Sequence, residues 1–218
     1  MSGLRLSRTG FKSLAAALVA LVIGANASAT GFSDFSLFSA AAGPLTTEGF
    51  ESPPFGFFGS VAPSQTNLGV TWTSASEMFV TDFFQNSGSF SLTDNDSSVA
   101  PIDSITATLP DNVFAVGAFF DSQNEVRMTA FDSMDNEIEF ITNGDTSLDN
   151  QFTFSGLVTD TAIAKVVFQS LSLTDADDDF VIDDFSFGGA AVPAPVALPA
   201  GIALLGMLGM KRRGRNAA

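Results

Sequence analysis

The sequence predicts an all-β domain, an antiparallel β-sandwich or jelly roll, set between two short apolar ends. Three observations carry that expectation. From Phe32 to Phe187 no helical period is sustained, and short runs of Val, Ile, Thr and Phe recur between clusters of Gly, Pro, Asn and Asp. Several of these runs alternate apolar with polar residues, as a half-buried strand does. The chain has 23 phenylalanines and no cysteine, so ring packing rather than disulfides must hold the core.

Taken in order, the first element is an export signal. Arg5, Arg8 and Lys12 precede an apolar stretch over 14–23, and small residues follow at Ala27 and Ala29. The pattern predicts a signal peptide over 1–29, cut by signal peptidase after Ala29. Its apolar run is short for a membrane span.

The domain over 30–190 comes next. Candidate strands lie at 69–74, 78–83, 89–93, 104–109, 113–120, 126–132, 137–142, 162–171 and 180–187. Turn residues separate them at 85–88, 94–96, 110–112, 121–124, 133–136 and 143–145. In the run at 137–142, Ile138 and Phe140 oppose Glu137 and Glu139. In the run at 126–132, Val126, Met128, Ala130 and Asp132 oppose Arg127, Thr129 and Phe131. Simple alternation in the last strand puts Val181, Asp183, Phe185 and Phe187 on one face and Ile182, Asp184 and Ser186 on the other. Asp183 then shares the Phe face, and a buried carboxylate needs either a cation or hydrogen-bond donors.

Charge narrows the function. All 24 acidic residues lie between Asp34 and Asp184, where the only basic residues are Arg127 and Lys165, so this stretch carries −22. Nucleic acid is excluded as a partner, because phosphates need cations. With no histidine there is no Ser-His-Asp triad and no imidazole-ligated zinc. Carboxylate-only chemistry, such as glycoside cleavage, survives, and nothing in the sequence sets two carboxylates at a defined separation. The acidic run at 175–179 lacks the Gly and trailing Glu of an EF-hand and reads as solvated loop. Trp72 reads as a core residue of a strand, with sugar stacking as its alternative. Arg127 reads as an ion-pair partner on an acidic face.

The last element, over 191–218, is a tail with three parts. Val192-Pro193-Ala194-Pro195 and Leu198-Pro199-Ala200 form a proline-rich patch, an apolar helix follows to Met210, and Lys211, Arg212, Arg213 and Arg215 close it. Prolines keep the patch extended. The apolar part is just short of a full span, and the basic cluster stops it on the cytoplasmic side. This tail resembles the PEP-CTERM sorting signals, in particular their VPLPA variant. The Val-Pro-x-Pro part falls on Val192, Pro193 and Pro195, and the Leu-Pro-Ala part on Leu198, Pro199 and Ala200. With the family's single motif split or doubled here, the exact bond cut stays open. The resemblance implies recognition and cleavage by an exosortase, with an inner-membrane-anchored intermediate delivered to the cell surface or extracellular matrix.

Thr-Glu-Gly-Phe at 47–50, Leu-Gly-Val-Thr-Trp at 68–72, Val-Phe-Ala-Val-Gly-Ala-Phe-Phe at 113–120, Val-Arg-Met-Thr-Ala-Phe-Asp at 126–132, and Phe-Val-Ile-Asp-Asp-Phe-Ser-Phe at 180–187 together resemble the β-sandwich ectodomain found before many such tails. That ectodomain is similar to carbohydrate-binding modules and galactose-binding-like jelly rolls. The likeness implies one structural calcium joining first and last strands, on Glu48 or Glu51 and Asp183. The functional expectation is an exported, non-catalytic surface or matrix protein associated with exopolysaccharide or biofilm. A module with a specific glycan ligand and a carboxylate-dependent glycosidase are the alternatives.

Overall fold

Short runs rich in β-branched residues and Phe become strands here because alternate side chains can reach a shared interior. The computed structural model describes residues 29–74, 78–94, 104–122, 124–144, 151–171 and 180–189. In chain order these form β1 (Ala29–Phe32), α1 (Phe35–Ala42), β2 (Leu45–Glu48), β3 (Gly59–Val61), β4 (Ser64–Asn67), β5 (Val70–Ser74), β6 (Met78–Thr81) and β7 (Ser91–Asp94). They continue as β8 (Ser104–Thr108), β9 (Ala115–Ser122), β10 (Val126–Phe131), β11 (Glu137–Asn143), β12 (Thr153–Thr159), β13 (Lys165–Ser170) and β14 (Phe180–Gly188).

The strands form two antiparallel sheets. The larger runs β1-β12-β9-β14-β7-β6-β3, with β2 also on β14; the smaller runs β11-β10-β13-β8-β5-β4. Their inner faces share one core. Val80, Leu92, Phe120, Ile182, Phe185 and Phe187 come from the larger sheet, and Trp72, Ile105, Met128, Val166 and Phe168 from the smaller. Trp72 is fully buried, with Phe50, Phe168 and Phe185 at 5.2, 6.3 and 5.0 Å between ring centroids. The expected sandwich is present, and Trp72 belongs to its interior rather than to a sugar platform.

The helix was not expected. Asp34 caps it by accepting the Leu37 N–H at 2.9 Å, and Gly43, at φ 77°, ends it. Phe38 and Ala42, four apart, bury against the outer face of the larger sheet in a second cluster with Ala115, Phe154 and Val158. Between β10 and β11 the turn falls where its residues predict it. Asn136 Nδ2 donates to Asp132 Oδ2 at 2.9 Å, and Oδ1 accepts the N–H groups of Asn136 and Met134 at 2.9 and 2.8 Å; these hydrogen bonds hold the Asp132 pKa low. Ala29, the expected last residue of the signal, is paired with Thr159 at the start of β1. Ala27, the motif residues Val192 to Ala200, the basic cluster Lys211 to Arg215 and the acidic run at 175–179 lie outside the described residues. Among the described residues no helix is long and apolar enough to cross a membrane.

Candidate functional site

Asp183 is completely buried, but not where alternation puts it. The register between β14 and β9 shifts between Asp183 and Ser186, and Asp184 sits at φ 47°. This is a β-bulge, and one extra residue exchanges the two faces of a strand. Before it, Phe180 and Ile182 face the shared core; after it, Phe185 and Phe187 do. Asp183 therefore leaves the Phe face. It pairs in register with Phe119, whose ring packs with the outer cluster beside α1.

What buries Asp183 is the segment 84–90, laid over the outer side of the larger sheet. Asp183 Oδ2 accepts the backbone N–H groups of Asn86 and Ser87 at 2.8 and 3.0 Å, and Oδ1 accepts the N–H of Asp184 at 2.7 Å. Asp184 takes the side chains of the same two residues: Asn86 Nδ2 donates to Oδ2 and Ser87 Oγ to Oδ1, both at 2.8 Å. Glu51 holds the far end of the segment, its Oε1 accepting the N–H groups of Ser89 and Phe90 at 2.7 and 2.8 Å. Thr81 Oγ1 accepts the Phe83 N–H at 3.2 Å, and Ser91 Oγ donates to the Phe84 carbonyl. Gly88 lets the chain pass. A Cβ there would lie 2.2 Å from Glu51 Oε1, and its φ is 64°.

Burial pushes the Asp183 carboxyl up to about 7, and the neighbouring Asp184 charge adds to the effect, against the hydrogen bonds from Ser87, Asp184 and Asn86. Glu48 is buried elsewhere. Its Oε1 accepts the Phe50 N–H at 2.8 Å and its Oε2 accepts Asn67 Nδ2 at 2.6 Å, tying β2 to the edge strand of the smaller sheet. Burial raises its pKa as well.

Of the residues expected to share a calcium, Glu51 and Asp183 meet on one segment while Glu48 holds other partners. Among the described residues no group of three or more acidic side chains takes up a metal-holding arrangement. The donor set does not fit a cation as it stands. N–H dipoles aim their positive ends at Asp183 Oδ1 and Oδ2, at Glu51 Oε1 and at both Glu48 oxygens, where a cation would be repelled. Chemically the cluster is an acceptor cradle that fixes a loop. Alternation missed the parts played by Asp184, Asn86, Ser87 and Gly88. The only signal for Asn86, Ser87 and Gly88 was the turn composition of 85–88.

On the opposite side of the sandwich lie both basic side chains of the domain. Arg127 pairs with Glu137 at 3.3 Å and lies 3.8 Å from the centroid of the Phe140 ring, as an ion-pair partner on an acidic face should. Lys165 pairs with Asp135 at 2.8 Å and lies 5.0 Å from the Phe131 ring centroid.

No family model matches the chain, and no curated protein does. Solved structures similar to it include a family 29 carbohydrate-binding module from Piromyces equi, at 10% identity and TM-score 0.40 over 66% of this chain and 89% of that one. Another is the CBM22-1 xylan-binding domain of Paenibacillus barcinonensis Xyn10C, at 13% and 0.41 over 70% and 98%. A third is the K2 cleaved adhesin domain of Lys-gingipain, at 12% and 0.46 over 66% and 99%.

Proposed function

We propose that this chain is an exported, non-catalytic surface or matrix protein, handed on by an exosortase through its C-terminal tail and associated with exopolysaccharide. The observation that supports the non-catalytic part is the use made of the candidate acids. Glu48, Glu51, Asp183 and Asp184 each accept hydrogen bonds from backbone or side-chain donors of their own domain. A general acid or nucleophile has to face substrate instead. The sorting part rests on the tail motif, with signal peptidase acting at the other end. Calcium is not needed to account for these carboxylates, since N–H donors already satisfy them.

Mass spectrometry of the mature protein from its own cells tests the sorting route. The expected C-terminus lies within or just before the proline patch of Val192, Pro193, Pro195, Leu198, Pro199 and Ala200. A mature chain that keeps Lys211, Arg212, Arg213 and Arg215 would overturn the proposal. A specific glycan ligand is the second reading, favoured by an exposed aromatic surface at the edge of the larger sheet.

A further inference from the structure

Three phenylalanines collect on the outer face of the larger sheet, at its β3 edge. Phe79 is on β6, where Met78 and Val80 on either side of it are buried in the core, so Phe79 faces outward. Phe58 packs on it edge to face, with centroids 5.1 Å apart and planes at 88°. Phe83 packs on Phe58 in the same way, at 5.7 Å and 86°. Phe58 is 50% exposed and Phe83 70%. Rings this open gain little from burial, so folding alone does not account for their placement.

Their support is built with care. Phe83 opens the segment that Asp183, Asp184, Glu51, Thr81 and Ser91 hold down. Two non-glycine residues in the left-handed region, Phe50 at φ 58° and Asp184 at φ 47°, flank the same supports. Strain of this kind persists where the surroundings over-determine the backbone. A surface fixed before its partner arrives loses little entropy on binding.

We propose that the exposed rings of Phe58 and Phe83, braced edge to face with Phe79, form an aromatic contact surface for a neutral polysaccharide. This deepens the exopolysaccharide reading and rests on it. The negative faces of the rings suit the polarised C–H groups of a pyranose. Ser60, in register with Phe79, and the exposed Asp82 beside Phe83 offer short polar groups for sugar hydroxyls. Charge selects among other occupants. Among the described residues the basic side chains are Arg127 and Lys165, both on the other sheet, so an anionic polymer or anionic lipid finds no counter-charge here. A second copy of a body carrying −22 is repelled rather than recruited.

Affinity electrophoresis tests this with the full chain in a sugar-free non-ionic detergent, through gels holding a soluble β-glucan, a xylan, a mannan, dextran or, as the anionic control, alginate. The expected result is retardation by at least one neutral polymer and none by alginate. Phe83→Ala and Phe58→Ala each weaken it fivefold or more, while Phe140→Ala on the opposite sheet leaves it unchanged. Circular dichroism melts of the variants confirm that the fold is kept. No retardation by any neutral polymer overturns the proposal. Retardation that survives both Phe58→Ala and Phe83→Ala overturns the aromatic contact surface but leaves polysaccharide association standing. Loss of self-association in these variants, with retardation unchanged, would make the surface a protein contact instead. The sorting route is judged separately, by the mature C-terminus.

Discussion

Gly88 and Gly43 sit in different surroundings. Both have positive φ, 64° and 77°, yet a Cβ at Gly43 would meet nothing within 4 Å, whereas at Gly88 it would meet the Glu51 carboxylate. Gly43→Ala should therefore cost only backbone strain, about 1–3 kcal/mol, because at ψ −142° it lies in a region that is essentially glycine's alone. Gly88→Ala should add about 1–2 kcal/mol to its own backbone strain, an excess that arises because Glu51 must release Ser89 and Phe90. In a Glu51→Ala background the excess should vanish in urea unfolding, and an excess that persists would sink the cradle as described. Asp183 supplies a pH signature. Its native pKa, about 7, lies above the ordinary 3.8, so folding takes up a proton between those values. Stability from this group is complete below the lower value and is lost as pH rises through the upper one. Glu48, also raised, acts with the same sign. The Tm should be higher at about pH 5 than at about pH 8, and Asp183→Asn should shrink that gap. An unchanged gap in the variant would exclude Asp183 as its source. That this carboxylate is buried was legible in the sequence. Its true neighbours were not, because one residue of bulge at Asp184 reverses the parity on which the reading depended.

Elements were legible where one face met the core and the other met water. The run at 126–132 alternates and is β10 nearly to its end, whereas the run at 137–142 is β11 but does not alternate as read: a register shift at Ala130/Phe131 lets Ile138 and Ile141 pack against the core and leaves Phe140 exposed beside Arg127. β12 was missed because it has two buried faces: Leu157 points into the sandwich, while Phe154 and Val158 pack in the cluster under α1. Alternation cannot show in such a strand. α1 was missed because two turns are too few for a period to register. The two hidden elements meet at Gly156. A Cβ there would lie 2.7 Å from Phe38 Cδ2 and 2.8 Å from Phe154 Cζ, so this glycine sets how closely the helix approaches the sheet. Gly156→Ala should cost about 1–3 kcal/mol by overpacking, in urea unfolding. Amide exchange should then rise in α1 and β1 and stay unchanged in β5, β8 and β13. Uniform acceleration across both sheets would mean that the helix is no separate layer.

At the scale of the whole molecule, charge has to be separated from chemistry. A body with −22 formal charges repels itself, and its two basic residues already hold Glu137 and Asp135. Cations should therefore raise its Tm by screening alone, with a Debye length near 10 Å at about 0.1 M salt. The family likeness in the sequence implied calcium because it placed Glu48, Glu51 and Asp183 near the first and last strands. It could not show that Asn67, Asn86, Ser87, Ser89 and Phe90 arrive first with N–H groups. The two explanations part company in one titration. Magnesium and calcium chloride at equal ionic strength should raise the Tm together, with no step near one equivalent, and Asp183→Asn should follow the same curve. A calcium-specific rise that saturates, and that Asp183→Asn abolishes, would mean that the segment 84–90 yields its N–H bonds to an ion. The cradle would then be a cation site closed by its own loop.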